Sequence, residues 1–273
     1  MVECDHLFLP DRWANPSGQK REKPRTKGLT MVIDKGLGLT AYSDLLELAS
    51  PYIDIYKLGF GTTALYPLEI LKQKLTLATQ NGLHIMPGGT FFEIAIRHST
   101  IADYMKQIRV LGFTAVEISD GTFPLSFAKR QEAINYALDN DLVVYTEVGK
   151  KAADYRACRE DLLETLSFDL HYGAHHVIVE ARESGTVGVF DCDGRIDDSF
   201  VCDIVTSAKE KASRLIWEAP QKDQQVDFIK TLGSDVNLGN IAHTDVFSVE
   251  TLRRGLRGDT ALIMDREGCN PCE

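Results

Sequence analysis

Glu117, Glu147, Glu180 and Glu218 share one local setting: each follows an apolar, β-branched run, in "AVE", "LVVYTE", "HVIVE" and "LIWE". Cations recur at comparable places. Lys35 follows "TMVID", Lys57 lies in "IDIYKLG", Lys150 and Lys151 end "LVVYTEVGKK", and Arg182 lies in "VIVEARESG". Carboxylates with waters suit Mg2+, a hard ion that takes one or two protein carboxylates and shares substrate oxygens. Lysines and arginines beside them would hold anionic groups or transfer protons. For any one of these residues an ordinary ion pair explains the charge equally well. Four glutamates in one confined place are different, because they repel unless cations sit between them. Since the residues are spread from Lys35 to Glu218, either chemistry requires a fold that brings distant strand ends together.

The segments around them supply such a fold. Short β-branched runs begin at Thr30, Ile53, Leu83, Ala115, Leu142, His176, Leu215 and Val236. Helical spacing lies between them, most clearly in Ile101, Tyr104, Met105, Ile108 and Leu111 behind a capping-box-like Thr100 and Asp103. Pro67 suits the first turn of another helix. Glycine ends several of these segments just before the next strand, as in "QNGLHIM", "VLGFTAV", "HYGAHHV" and "TLGSDV". Strand, loop, helix, glycine, strand, repeated eight times, predicts an α/β fold of one domain: a single (β/α)8 TIM barrel with a parallel eight-stranded core over residues 28–261. An irregular arm, 1–27, would precede it and a tail, 262–273, would follow.

In such a barrel the C-terminal strand ends meet at one mouth. A phosphate site is expected there from "LRRGLRGDT", residues 252–260, because the loops after strands 7 and 8 with a short helix often cradle phosphate. Arg254 and Arg257 would carry it. "PGG" offers close backbone approach at Gly88 and Gly89, and strand 8 delivers Asn240.

Composition narrows the partners. The chain has 273 residues, 44% of them hydrophobic, and a formal net charge of −10, which argues against a general nucleic-acid surface. No window approaches the roughly 20 apolar residues of a membrane span, and no basic segment with an apolar core opens the chain, so a cytoplasmic protein is expected. The six cysteines are too scattered for a disulfide scaffold, and most should be reduced thiols. The basic run "KREKPRTKG" reads as a solvated arm in so acidic a protein. "CNPC" at the tail lacks a second pair for zinc, and His171, His175 and His176 read as structural. "DCDGRIDD" lacks EF-hand spacing and better suits a hairpin turn between "TVGVF" and "RID" in a lid above the mouth. "GLG" and "GFG" lack the third glycine of a dinucleotide fingerprint.

Together, "MVIDKGLG", "KLGFGTTALY", "PGGTFFE", "VEISDGT", "TEVGKK", "VIVEARESG", "WEAPQKDQQVDFI", "VNLGNI" and "VETLRRGLRGDT" resemble the phosphosulfolactate synthase family over most of the chain. The resemblance implies a Mg2+-dependent barrel enzyme, a carbon–sulfur lyase by class, that adds sulfite to phosphoenolpyruvate to give (2R)-phospho-3-sulfolactate. In that setting Lys151, the second lysine of the family motif, is the expected proton donor, with Lys150 the fallback. Lys35 and Lys57 are expected to bind phosphate or carboxylate, and Arg182 an anionic oxygen. Glu147, Glu180 and Glu218 are the leading metal candidates, with Asp34 and Glu117 behind them. The partners are then the two small substrates, and a homo-oligomer is expected. Two alternatives stay open: another Mg2+-dependent barrel enzyme acting on phosphoenolpyruvate or an enolate, and a non-catalytic member like the plant heat-stress-associated branch. "DKG", "GGTFFE", "EVGKK" and "EARESG" favour the synthase.

Overall fold

The structure, a computed structural model, describes residues 9–150, 157–181, 189–190 and 195–264, with 263 and 264 as backbone only. Each apolar run becomes a strand: Thr30–Asp34 (β1), Ile55–Leu58 (β2), His84–Pro87 (β3), Ala115–Ile118 (β4), Val143–Val148 (β5), His176–Val179 (β6), Leu215–Glu218 (β7) and Leu238–Ala242 (β8). The helices are Asp11–Ala14 (α1), Leu39–Ala49 (α2), Leu68–Gln80 (α3), Gly89–Ala95 (α4), Ile101–Leu111 (α5), Phe127–Asp139 (α6), Arg159–Tyr172 (α7), Asp198–Ala208 (α8), Lys222–Leu232 (α9), Val246–Arg253 (α10) and Ala261–Met264 (α11). No helix among the described residues is long and apolar enough to cross a membrane.

The strands pair in parallel in the order β3-β2-β1-β8-β7-β6-β5-β4. At the remaining seam Thr114 N–H donates to Ile85 O at 3.2 Å, and Ile85 N–H to Thr114 Oγ1 at 2.9 Å, which draws β3 against β4 and completes the (β/α)8 barrel. The two-residue period of a strand then sorts every side chain. Outward residues such as Val32, Tyr56 and Val144 pack with Leu46, Leu75 and Ile134 of the helices, while Val177, Trp217 and Ile241 do so in the other half. Each Leu or Ile so buried contributes roughly 1.5–3 kcal/mol. Inward residues Met31, Ile55, Met86, Ala115, Tyr145, Ile178 and Ile216 fill the lumen. Two positions further along β2, β4, β5, β6 and β7 come Lys57, Glu117, Glu147, Glu180 and Glu218, so the same alternation stacks the charges above an apolar plug.

Helix α5 forms as its spacing predicts, with the Thr100 side chain accepting from Asp103 N–H and Gly112 closing the last turn. Pro67 is the N-cap of α3 and stands one residue ahead of its first turn. Phe190 and Ile196 form an antiparallel bridge, the base of the expected hairpin, whose turn lies outside the described residues. Of the two cysteines within those residues, Cys158 is a free, exposed thiol and Cys202 is disulfide-bonded.

The basic run near residue 20 is not a solvated arm. Arg21 pairs with Asp235 at 3.1 Å and donates to Ser234 Oγ at 2.7 Å. Arg25 donates to Asp54 Oδ1 at 2.9 Å. Acidic residues at the starts of the strands receive these cations and seat the arm under the barrel floor. The same floor holds three histidines. His84 Nδ1 lies 2.6 Å from the Tyr145 hydroxyl, and His175 and His176 approach to 2.8 Å through their Nδ1 atoms.

Burial, reinforced by His175, Arg214 and His84, drives the His176 imidazole down to about 3. Burial lowers His84 and His175 as well. These rings stay neutral in the fold but take up protons in the unfolded chain below its ordinary histidine pKa of about 6.5. Their contribution is therefore complete above that pH and is lost as pH falls towards the folded values. Stability in urea should drop between pH 6.5 and 5 by up to ~1.4 kcal/mol per unit for each histidine involved. His176→Phe should reduce that slope by one proton's worth. A stability that stays level from pH 7 to 5 would contradict this picture.

Candidate active site

The strand ends open into a cavity of about 600 Å3, lined among others by Lys35, Lys57, Phe60, Gly88, Gly89, Phe91, Ile94, Glu117, Glu147, Glu180, Glu218 and Asn240. The Lys57 ammonium sits 3.2 Å from Glu117 Oε1 and 3.1 Å from Glu218 Oε1, all three residues being buried. Burial alone would lower the pKa of Lys57, but Glu117, Glu218, Glu147 and Glu180 outweigh it and hold the ammonium above the usual lysine range. The carboxylates are themselves aimed. Glu117 Oε2 accepts from Gly89 N–H at 2.7 Å, and Glu218 Oε2 from Ala181 N–H at 3.0 Å. The Ser119 hydroxyl lies 2.6 Å from both Glu93 Oε1 and Glu147 Oε1 and bridges them, its single proton donated to one at a time. Glu93 is anchored in turn by the N–H groups of Thr122 and Phe123 at 2.8 and 2.7 Å.

Two glycines make this packing possible. A Cβ on Gly89 would stand 2.5 Å from Ser119 Cβ and 3.1 Å from Glu117 Cγ. Gly149, with φ of 127°, lets the end of β5 pass Glu180, whose Cβ would be 2.8 Å from a side chain there. Gly89→Ala is therefore expected to cost ~1–3 kcal/mol through overpacking and to displace Glu117. Thermal unfolding measures the first effect and Mn2+ titration the second. Wild-type values in both would mean that the turn after β3 yields without consequence.

Three carboxylate oxygens, one each from Glu117, Glu147 and Glu218, lie within 4.8 Å of one another. An all-oxygen set free of thiolate and imidazole fits a hard divalent cation such as Mg2+ or Mn2+. Glu180 lines the same cavity. Asp34, the remaining metal candidate, does not line it. Its Oδ1 accepts the N–H groups of Gly36 and Leu37, each at 2.7 Å, while Tyr56 and the buried Lys74 bind Oδ2. Burial would raise Asp34, but Lys74 and those N–H groups prevail and keep the carboxyl below its ordinary range. Asp34 thus shapes the loop that carries Lys35 to the cavity rim, where the Lys35 ammonium lies 5.3 Å over the Phe60 ring.

Other expected residues are placed elsewhere. Lys150 donates to Asp120 Oδ2 at 2.6 Å and lines a separate cavity of about 260 Å3 between β5 and the helices α6 and α7. Lys151 and Arg182 lie outside the described residues. Arg254 and Arg257, expected to carry a phosphate site, do not line the main cavity. A helix following a barrel strand returns to the floor, and Arg253 at the end of α10 donates there to Ser234 O and Val236 O, both at 2.6 Å. Arg254 pairs with Glu250 at 2.7 Å, whereas the chain turns back after α10 and Arg257 donates to Ser248 Oγ in the first turn of that helix at 2.6 Å.

Ser119 and Lys74 were missed as site-shaping residues. Ser119 stands two residues after Glu117, and the strand period alone marks it as inward. Lys74 is a charge on the buried stripe of Leu71, Leu75 and Ala78, a conflict that signals a buried partner.

Comparison with known proteins places the chain among relatives. The model of the family described as (2R)-phospho-3-sulfolactate synthase (ComA) matches residues 18–259. The chain is 44% identical over 237 residues to the phosphosulfolactate synthase of Methanocaldococcus jannaschii, covering 86% of this chain and 94% of that protein. It is 37% identical over 246 residues to the phosphosulfolactate synthase of Bacillus subtilis, covering 89% and 96% respectively. Among solved structures, KGPDC from Streptococcus mutans aligns with a TM-score of 0.52 at 11% identity, covering 86% of this chain and 97% of that one, a likeness of fold alone.

Proposed function

The chain belongs to the (2R)-phospho-3-sulfolactate synthase family, and from that membership we propose that it joins sulfite to phosphoenolpyruvate, giving (2R)-phospho-3-sulfolactate. Glu117, Glu147 and Glu218 would hold a Mg2+ ion, with Glu180 beside them. The ion, when bound, supplies Lewis-acid stabilisation of negative charge on the substrate carboxylate. The sulfur of sulfite bonds to the methylene carbon of phosphoenolpyruvate. The electron pair of the double bond moves towards the carboxylate as an enediolate, and a proton then adds to the adjacent carbon from one face.

Lys57 stays charged among its glutamates and stabilises the developing charge from a fixed position, without solvent reorganisation. Lys35 at the rim and Arg182 are assigned to anionic oxygens of the phosphate and of sulfite. Gly88 and Gly89 keep the wall near β3 thin enough for close approach by the substrate. Lys151 is assigned as the proton donor.

The observation that carries this reading is the buried Lys57 ammonium between Glu117 and Glu218 in a cavity large enough for both substrates. The test is to incubate purified protein with phosphoenolpyruvate, sulfite and Mg2+ and to look for phosphosulfolactate by mass spectrometry. The product should form only with sulfite present. Its absence, or sulfite-independent consumption of phosphoenolpyruvate, would overturn the reading in favour of another barrel chemistry. Chelation should abolish turnover and leave the far-ultraviolet circular dichroism unchanged, because the hydrophobic layers owe nothing to the ion.

A further inference from the structure

Asn240 departs from the alternation that places the other inward side chains. Leu238 packs in the layer outside the barrel, and Ile241 does the same. Gly239 faces the lumen, where a Cβ would meet Met31 and Ile216. Strict alternation leaves no inward place between Gly239 and Ile241. A bulge creates one: Thr30 and Val32, two apart on β1, pair with Leu238 and Ile241, three apart on β8. Asn240 takes the left-handed backbone there, with φ of 54°, a conformation that asparagine tolerates better than most side chains. The side chain consequently lines the cavity at 8% exposure, and its Oδ1 is buried without a hydrogen-bond partner.

A strained backbone and an unsatisfied buried acceptor are each unfavourable alone, and their coincidence at a cavity wall points to a ligand contact. The neighbouring groups identify the ligand's charge. Glu218 pairs in register with Gly239, the residue before Asn240. Glu117 and Glu147 complete the acidic group, and the Lys57 ammonium is turned to Glu117 and Glu218. Oxygen acceptors gathered in this way call for a cation, and a neutral carboxamide oxygen is an ordinary ligand of hard divalent ions.

We propose that Asn240 Oδ1 is a neutral oxygen ligand of the divalent cation held by Glu117, Glu147 and Glu218, and that the β8 bulge is the device that presents it. The inference rests on the cation site of the proposed function. It moves Asn240 from the phosphate-binding role expected of it to the metal.

Mn2+ binding to the intact, substrate-free protein, followed by electron paramagnetic resonance, tests this. Asn240→Gly is the informative variant, since glycine adopts a φ of 54° freely and keeps the bulge while removing the carboxamide. It should weaken Mn2+ binding by about tenfold or more and leave the thermal midpoint unchanged or raised. Asn240→Asp retains an oxygen and should bind Mn2+ at least as tightly as wild type. If wild type binds Mn2+ and Asn240→Gly binds it equally well, Asn240 serves the backbone alone and the inference fails. If wild type itself does not bind Mn2+, the cation site fails first and the inference with it.

Discussion

Lys57→Met is expected to reduce turnover by about 10^3-fold and to destabilise the barrel by ~3–5 kcal/mol. Both effects have one cause. The ammonium lies 3.2 Å from Glu117 and 3.1 Å from Glu218, and the pairs are nearly inaccessible to water. Methionine fills a similar volume but leaves the carboxylates facing one another without that charge, in surroundings where repulsion is poorly screened. For a chain of this size the loss corresponds to a fall in melting temperature of about 10 °C. A divalent cation supplies charge to the same carboxylates, so millimolar Mg2+ should recover more melting temperature in Lys57→Met than in wild type, while turnover stays low. A variant that melts like wild type and keeps turnover within tenfold would show that Lys57 neither braces the carboxylates nor stabilises the transition state.

The second large effect separates two adjacent lysines. Lys151→Met should lower kcat by about 10^2–10^4-fold with little change in KM, because a proton donor acts in the transition state and contributes little to ground-state binding. Lys150→Met should keep kcat within a few fold. The Lys150 side chain is 42% exposed and paired with Asp120 at 2.6 Å, and it lines the smaller cavity. An exposed pair of this kind contributes up to ~1 kcal/mol to stability. Steady-state kinetics of the two variants, with phosphoenolpyruvate and sulfite varied in turn, decides the matter. The reverse ranking would transfer the donor role to Lys150 and require its ammonium to leave Asp120.

Legibility in the sequence followed the range of the interaction involved. Helix α5 was readable because its cap, its apolar spacing and its terminal glycine all lie within 13 residues, Thr100 to Gly112. The strands were readable as β-branched runs, although β8 begins two residues after Val236, where the run starts. Inward position was also local: the period of two sets Glu117, Glu147, Glu180 and Glu218 above Ala115, Tyr145, Ile178 and Ile216. Asp34 joined the metal candidates because its type and its place at a strand end match theirs. Its true partner, Lys74, is 40 residues away on α3. For Arg254 and Arg257 a charge-rich motif did not disclose their partners, Glu250 and Ser248 on the preceding helix.

By itself the sequence determined the eight-fold repeat of strand and helix, the inward face of each strand and therefore the set of charges that could meet. These depend on spacing and residue type within a few positions along the chain. Only the tertiary structure decided which charges do meet. It placed Lys57 between Glu117 and Glu218, committed Asp34 to Lys74 and Lys150 to Asp120, paired Arg254 with Glu250 and turned Asn240 inward. Each of these outcomes turns on the direction of an element or the register of a ladder, and both arise only when distant segments pack against one another.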